Sequence, residues 1–324
     1  MKFGLICGLA VLAGSPALAA GEAIKVSAAA AVKGTTSVVV GVFNVGFIFE
    51  SVDNTKATGG LVGAFGGATR AKSQLKGVTP EMMQAITDAA YADFRGQVEA
   101  RGVTVGDPAV LYGHASFAKV KPVASPYEVS VHIDKKATGK VEYYKPSALP
   151  GLVMLPGDIQ GTGLSSMGMQ MAAGMTQYAM SEYAKATGQA VIGLTYLIDF
   201  SNVKRPGAFS MAGLSVSSGM SVSPDFSKLS LVTPSGKLAQ LVLKQPVIVE
   251  GDFATMDDAT QDAGLQTAAN IAGRVAAALG AGGMMFGKSR TFEFAVKPDN
   301  YTAGAVKVTS LANTTLVDQL AALR

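Results

Sequence analysis

Few side chains in this sequence of 324 residues are equipped for chemistry: one cysteine, two histidines and no tryptophan. The most explicit pattern is Gly282-Gly283-Met284-Met285-Phe286-Gly287-Lys288-Ser289, which matches GxxxxGK[ST]. Such a loop cradles phosphates with backbone N–H groups, its Lys on the terminal phosphates and its Ser on magnesium. That chemistry needs the order strand, loop, helix, so that a helix N-terminus faces the phosphates. Here an alanine-rich helical stretch precedes, and the strand-like run Thr291 to Lys297 follows. The order favours a glycine-rich turn from helix to strand, with Gly280 as the helix stop.

The histidines and acids give equally little. His114, in Tyr112-Gly113-His114-Ala115-Ser116, sits in a loop where an imidazole can serve as a general base. No GxSxG elbow supplies a partnered serine, and the SxxK matches Ser73 to Lys76 and Ser201 to Lys204 lack companion motifs. His132 falls on the polar side of the alternating run Tyr127 to Asp134 and reads as solvated. Glu250, Asp252, Asp257, Asp258 and Asp262 offer oxygens that suit calcium, but without EF-hand spacing. Asp257 and Asp258 read more simply as acids in the first turn of a helix. Asp199 stands in an apolar run; if buried it needs a donor, and Lys204 and Arg205 are close in sequence. No catalytic residue, metal set or cofactor is assigned, and the balance is against an enzyme. A hydrolase using His114 is the enzymatic alternative.

The remaining cluster is soft rather than reactive. Met167, Met169, Met171, Met175 and Met180 fall in one helical stretch, residues 164–187. On a helix, 167, 171 and 175 share a face, which Tyr178 extends by one more turn. Thioethers bind Cu(I), yet no His or Cys lies near them in sequence. Methionine more commonly fills a core, and second to that it forms a deformable apolar surface for a ligand. Met167, Met171, Met175 and Tyr178 are therefore the candidate ligand-binding residues. A closed cavity lined by them is what ligand binding calls for, and a solid core there excludes it.

Location follows from the N-terminus. Lys2, the apolar run Phe3 to Ala13, Pro16 and Ala17-Leu18-Ala19 have the layout of a secretory signal, cleaved near Ala19 or Ala20. The apolar run is too short to span a bilayer, which takes about 20 residues. Cys7 lies inside this segment, before most of the apolar run, so it is no lipidation site and leaves with the signal. The expected mature chain is periplasmic or secreted, has no cysteine, and is held by packing alone. Its net charge falls from +4 to +3, too balanced for a nucleic-acid partner. Residues 119–145 hold six lysines against three acids, which allows a peripheral membrane contact.

These groups need elements to place them. Residues 38–49, VVVGVFNVGFIF, read as a strand covered on both faces. The glycine-rich stretch 53–78 reads as a long loop. Thr79-Pro80-Glu81 opens a helix with cap, N1 proline and early acid in place. Met83, Ile86, Ala90, Phe94 and Val98 then recur every three or four residues up to Gly102. Val103 to Val105 suggests a short strand. Residues 191–200 form another strand, and Leu229 to Val232 and Leu238 to Leu243 a hairpin turned by Pro234-Ser235-Gly236. Thr255 and Asp258 resemble a capping box opening a helix through Leu279. Val306-Lys307-Val308 alternates like a strand, and Leu316 to Leu323 reads as a terminal helix. The expected fold is α/β or α+β, a mixed sheet packed with several amphipathic helices. Three prolines and four glycines in 145–163 mark a boundary. It divides an N-terminal subdomain, 21–149, from a C-terminal one, 150–324, within what is equally one continuous domain.

This order of strand, helix and later hairpin resembles the periplasmic α/β part of curli-type secretion channels, although the lipidated cysteine of that family is missing. The resemblance implies a component of an outer-membrane assembly or secretion complex, with an oligomer as its working form. The residues themselves point first to an exported, non-enzymatic cell-envelope protein. Its expected partner is an apolar small molecule or an envelope protein.

Overall fold

Two-sided burial of the run after Ser37 sets the architecture. In a computed structural model, which describes residues 23–54, 68–134, 137–161, 165–204, 215–261 and 288–324, this run is one long strand. The signal-like segment and most of the GxxxxGKS pattern lie outside the described residues. In chain order the strands are β1 Ile24–Ser27, β2 Ser37–Asn54, β3 Ala68–Lys76, β4 Thr104–Gly106, β5 Tyr127–Asp134 and β6 Ala137–Tyr144. There follow β7 Ala190–Lys204, β8 Ser215–Val222, β9 Lys228–Val232, β10 Leu238–Leu243, β11 Val247–Val249, β12 Ala254–Asp258 and β13 Lys288–Val296. The helices are α1 Pro80–Ala100, α2 Pro108–Tyr112, α3 Ser165–Thr187 and α4 Pro298–Leu323.

All the strands join one mixed sheet, in the order β1-β10-β9-β7-β2-β3-β13-β12, with β4, β5, β6, β8 and β11 on branches. It is the α/β or α+β arrangement the sequence implied, and strands from both sides of 145–163 share it. β2 is parallel to β7 and antiparallel to β6 and β3. A register shift between Val40 and Val42 flips the side-chain alternation. Val38, Val40, Phe43, Val45 and Phe47 therefore enter the larger core, while Val39 and Val42 enter the smaller one. Gly41, at the shift, leaves no room for a side chain: a Cβ would stand 2.6 Å from Val191 Cγ1.

The larger core lies under α1 and α4. Phe43 is its centre, with ring centroids 5.3 Å from Tyr91, 5.7 Å from Phe94 and 5.9 Å from Tyr196. α1 forms as its sequence dictates. Thr79 accepts from Met82 N at 3.3 Å, and the five apolar residues of its stripe are all buried. The smaller core joins Leu111 of α2 and Ala179, Met180 and Tyr183 of α3 to Val39, Val42 and Val191.

Four expectations are corrected. Ala68–Lys76 of the glycine-rich stretch is strand β3, parallel to β13, and 53–54 belong to β2; residues 55–67 lie outside the described ones. Thr255 and Asp258 cap no helix: both lie in β12, because antiparallel pairing with β13 (Met256 opposite Phe294) overrides the local capping pattern. The helix expected beyond them lies outside the described residues from 262 on. Val306-Lys307-Val308 is helical, and the terminal helix begins at Pro298 rather than Leu316. Its buried stripe, Tyr301, Ala305, Val308, Ala312 and Leu316, has the helical period, and Val308 belongs to it.

Candidate ligand-binding face

α3 has two stripes, one buried and one exposed. Met169, Ala173, Thr176, Met180 and Tyr183, spaced 4, 3, 4, 3, are buried. Met167, Met171, Met175 and Tyr178, spaced 4, 4, 3, are exposed at 72 %, 68 %, 47 % and 68 %. Core packing, the commoner role for methionine, thus holds for Met169 and Met180 and fails for the other three. The candidate residues share one solvent-facing stripe.

Among the described residues neither a closed cavity nor a solid core is found there. Met171, Met175 and Tyr178 of the stripe form one wall of an open groove, and Met167 lies outside its lining. One stretch of about 400 Å³ lies against Ser116, Lys119 and Val120. A neighbouring stretch of about 280 Å³ shares Met171, Met175 and Lys119 and reaches Lys121. The opposite wall is the 3-10 turn Ala115–Lys119, held by His114. Ser116 N donates to His114 Nδ1 at 3.2 Å, the Ser116 hydroxyl lies 2.9 Å from the same nitrogen, and the ring sits edge-on to Tyr183 at 5.2 Å. His114 thereby caps the segment that carries Lys119. Among the described residues no carboxylate contacts His114, so the base–orienter pair of a triad is not assembled there.

Charge on this face has one sign. α3 carries no charged residue from Ser165 to Ser181, and its two charges beyond, Glu182 and Lys185, pair with each other at 2.9 Å. Lys119 and Lys121 are exposed, and among the described residues neither is in an ion pair.

The other candidates do not converge. His132 is exposed on β5. Asp252 pairs with Lys297, and Asp258 with Arg290 at 3.1 Å; Glu250 and Asp257 are exposed, and Asp262 lies outside the described residues. Among the described residues no three of His, Cys, Asp and Glu gather as metal ligands. Ser73 is buried in β3 while Lys76 faces Glu293 at 3.8 Å. Lys288 and Ser289, which end the GxxxxGKS pattern, open strand β13 rather than a helix.

Asp199 finds its donors in Ser201, whose N and Oγ lie 3.0 and 3.2 Å from Oδ1; the side chains of Lys204 and Arg205 lie outside the described residues. Removal from bulk water, aided by the nearby Asp53, pushes its carboxyl up to about 6. The native state therefore holds this proton more tightly than the unfolded chain. The stability it contributes is full below pH ~4 and is lost as pH rises through ~6, up to about 3 kcal/mol. Asp199→Asn is expected to raise the urea midpoint at pH 7 and to leave a smaller gain on acidification; an unchanged pH profile would contradict the assignment.

Sequence reasoning missed the buried pair Asp158–Lys228, at 3.3 Å with side chains 3 % and 5 % exposed. A Pro-Gly-Asp turn and a strand-opening lysine carry no local sign of each other.

No family model matches the chain, and no curated protein or solved structure is significantly similar to it.

Proposed function

We propose that the chain is an exported, non-enzymatic cell-envelope protein that acts by binding an apolar small molecule or an envelope partner. The binding surface is the stripe Met167, Met171, Met175 and Tyr178. One observation carries this reading: three methionines and a tyrosine face solvent on a helix whose other side already fills the core. A helix that is apolar nearly all round normally has both faces covered. A contiguous exposed apolar face marks an interaction site, and methionine suits one that adapts to its ligand. The signal-like N-terminus supports export, and the poverty of assembled catalytic groups supports binding over turnover. Titration with an apolar fluorophore tests the site. Met171→Glu/Met175→Glu is expected to weaken binding at least about tenfold, because each methionine loses part of the roughly 1.5–3 kcal/mol of a buried apolar side chain.

A further inference from the structure

We infer that the occupant of this face is the surface of an anionic lipid bilayer, a conclusion that rests on reading the stripe as the binding surface. The groove is open, and its methionine wall keeps about half or more of its surface in solvent. A small-molecule site encloses roughly 70–90 % of its ligand. An open wall covers a free hydrophobe on one side and leaves the other in water, whereas a bilayer interface itself supplies the apolar medium on the far side.

Charge selects the kind of surface. Among the described residues the charged groups lining the groove are Lys119 and Lys121, and neither has an acidic partner there. They stand at the rim of an uncharged helix face, the arrangement by which an interfacial helix sinks its apolar side and leaves cations at headgroup level. Tyr178 closes the same stripe with an aromatic ring and a hydroxyl, the side chain enriched where hydrocarbon meets water. A second copy of this chain complements the lysines poorly. The acid that α3 offers is Glu182, already paired with Lys185. Spanning is not implied: among the described residues no helix is long and apolar enough to cross a membrane.

Flotation of the purified protein with vesicles of phosphatidylcholine, alone or mixed with phosphatidylglycerol, tests the inference. The protein is expected to float with the mixed vesicles, to bind phosphatidylcholine alone more weakly, and to be released as salt is raised. Lys119→Ala/Lys121→Ala is expected to weaken binding to the mixed vesicles roughly 20-fold and to leave fluorophore binding in place. Met171→Glu/Met175→Glu is expected to lose both. Fluorophore binding without flotation on either vesicle overturns the bilayer and leaves the apolar-ligand reading standing. Loss of both in the unaltered protein overturns both. Equal binding to the two vesicles, or lysine variants that bind normally, overturns the anionic surface. A dimer that Met171→Glu converts to monomer shows a second copy on this face and also overturns it. All four side chains are exposed, so folding is not at stake; the salt dependence of the unaltered protein is a readout that needs no variant.

Discussion

Lys228→Met is expected to cost about 3–5 kcal/mol, lowering the thermal midpoint by on the order of 10 °C. Lys228 opens β9, and its Nζ reaches Asp158 at 3.3 Å and the carbonyl of Pro156 at 2.9 Å. Asp158 accepts in turn from Leu155 N at 2.8 Å. Gly157 lets the loop close over the ammonium: its φ is +75°, and a Cβ there would stand 2.9 Å from Nζ. Losing the lysine leaves a buried carboxylate without its countercharge. Burial pushes the Asp158 carboxyl up, and the pull of Lys228 opposes it. Without Lys228 the acid is expected to fold protonated, so part of the loss returns as pH falls. Lys228→Met/Asp158→Leu is expected to recover part of the stability as well, since apolar replacement of both partners is often neutral or better. Urea titrations of the single and double variants at two pH values check this. A single variant within about 0.5 kcal/mol of the parent would show that the pair is not formed in solution.

Asn313→Leu is expected to cost about 2–4 kcal/mol and to loosen α4 from α1. Asn313 is fully buried. Its Oδ1 accepts from the Tyr196 hydroxyl, and its Nδ2 donates to Ala90 O at 3.1 Å and Asp93 Oδ2 at 2.6 Å. One amide thus ties a sheet residue to both helices. Tyr196 is buried too, and desolvation pushes its phenol well above the usual range, so the hydroxyl stays a donor that needs an acceptor. In Asn313→Leu that donor has lost its partner, so adding Tyr196→Phe is expected to cost less than it does alone. Strictly additive losses in a double-mutant cycle would contradict the bond. Hydrogen exchange along 80–100 should rise with the destabilisation, because α1 takes part of its anchoring from this contact.

What the sequence discloses depends on whether a residue's role is local. α1 was legible because cap, N1 proline, early acid and apolar period agree on the same boundaries. β2 was legible as a two-faced apolar run, but not the register shift at Gly41, which depends on where β7 lies. β3 was hidden because the centre of its inward face is Ser73, a polar residue that breaks the apolar alternation, beside a glycine-rich stretch. Val306-Lys307-Val308 imitates a strand because three residues cannot distinguish a period of 2 from one of 3.6; the full stripe from Tyr301 to Leu320 can. Thr255 and Asp258 show the converse, a correct local pattern overridden by pairing with a distant strand. The candidate face was half legible. Spacing put Met167, Met171 and Met175 on one side of α3, but spacing cannot say which side meets the core. That was decided by the second stripe, Met169 to Tyr183, in which Met180 and Tyr183 join Val39 and Val191 in the smaller core and Met169 and Ala173 join the larger one. Lys119 and Lys121 belong to the face only through the turn that His114 caps, a contact no sequence pattern announces.

The most direct test of binding at this stripe is a titration of the full chain with an apolar fluorophore, set beside Met171→Glu/Met175→Glu. The variant should keep the parent's circular dichroism and thermal midpoint, because both altered positions face solvent. Saturable binding by the parent is expected, at least about tenfold weaker in the double variant. Equal binding by the two proteins, or no saturable binding by the parent, would contradict it.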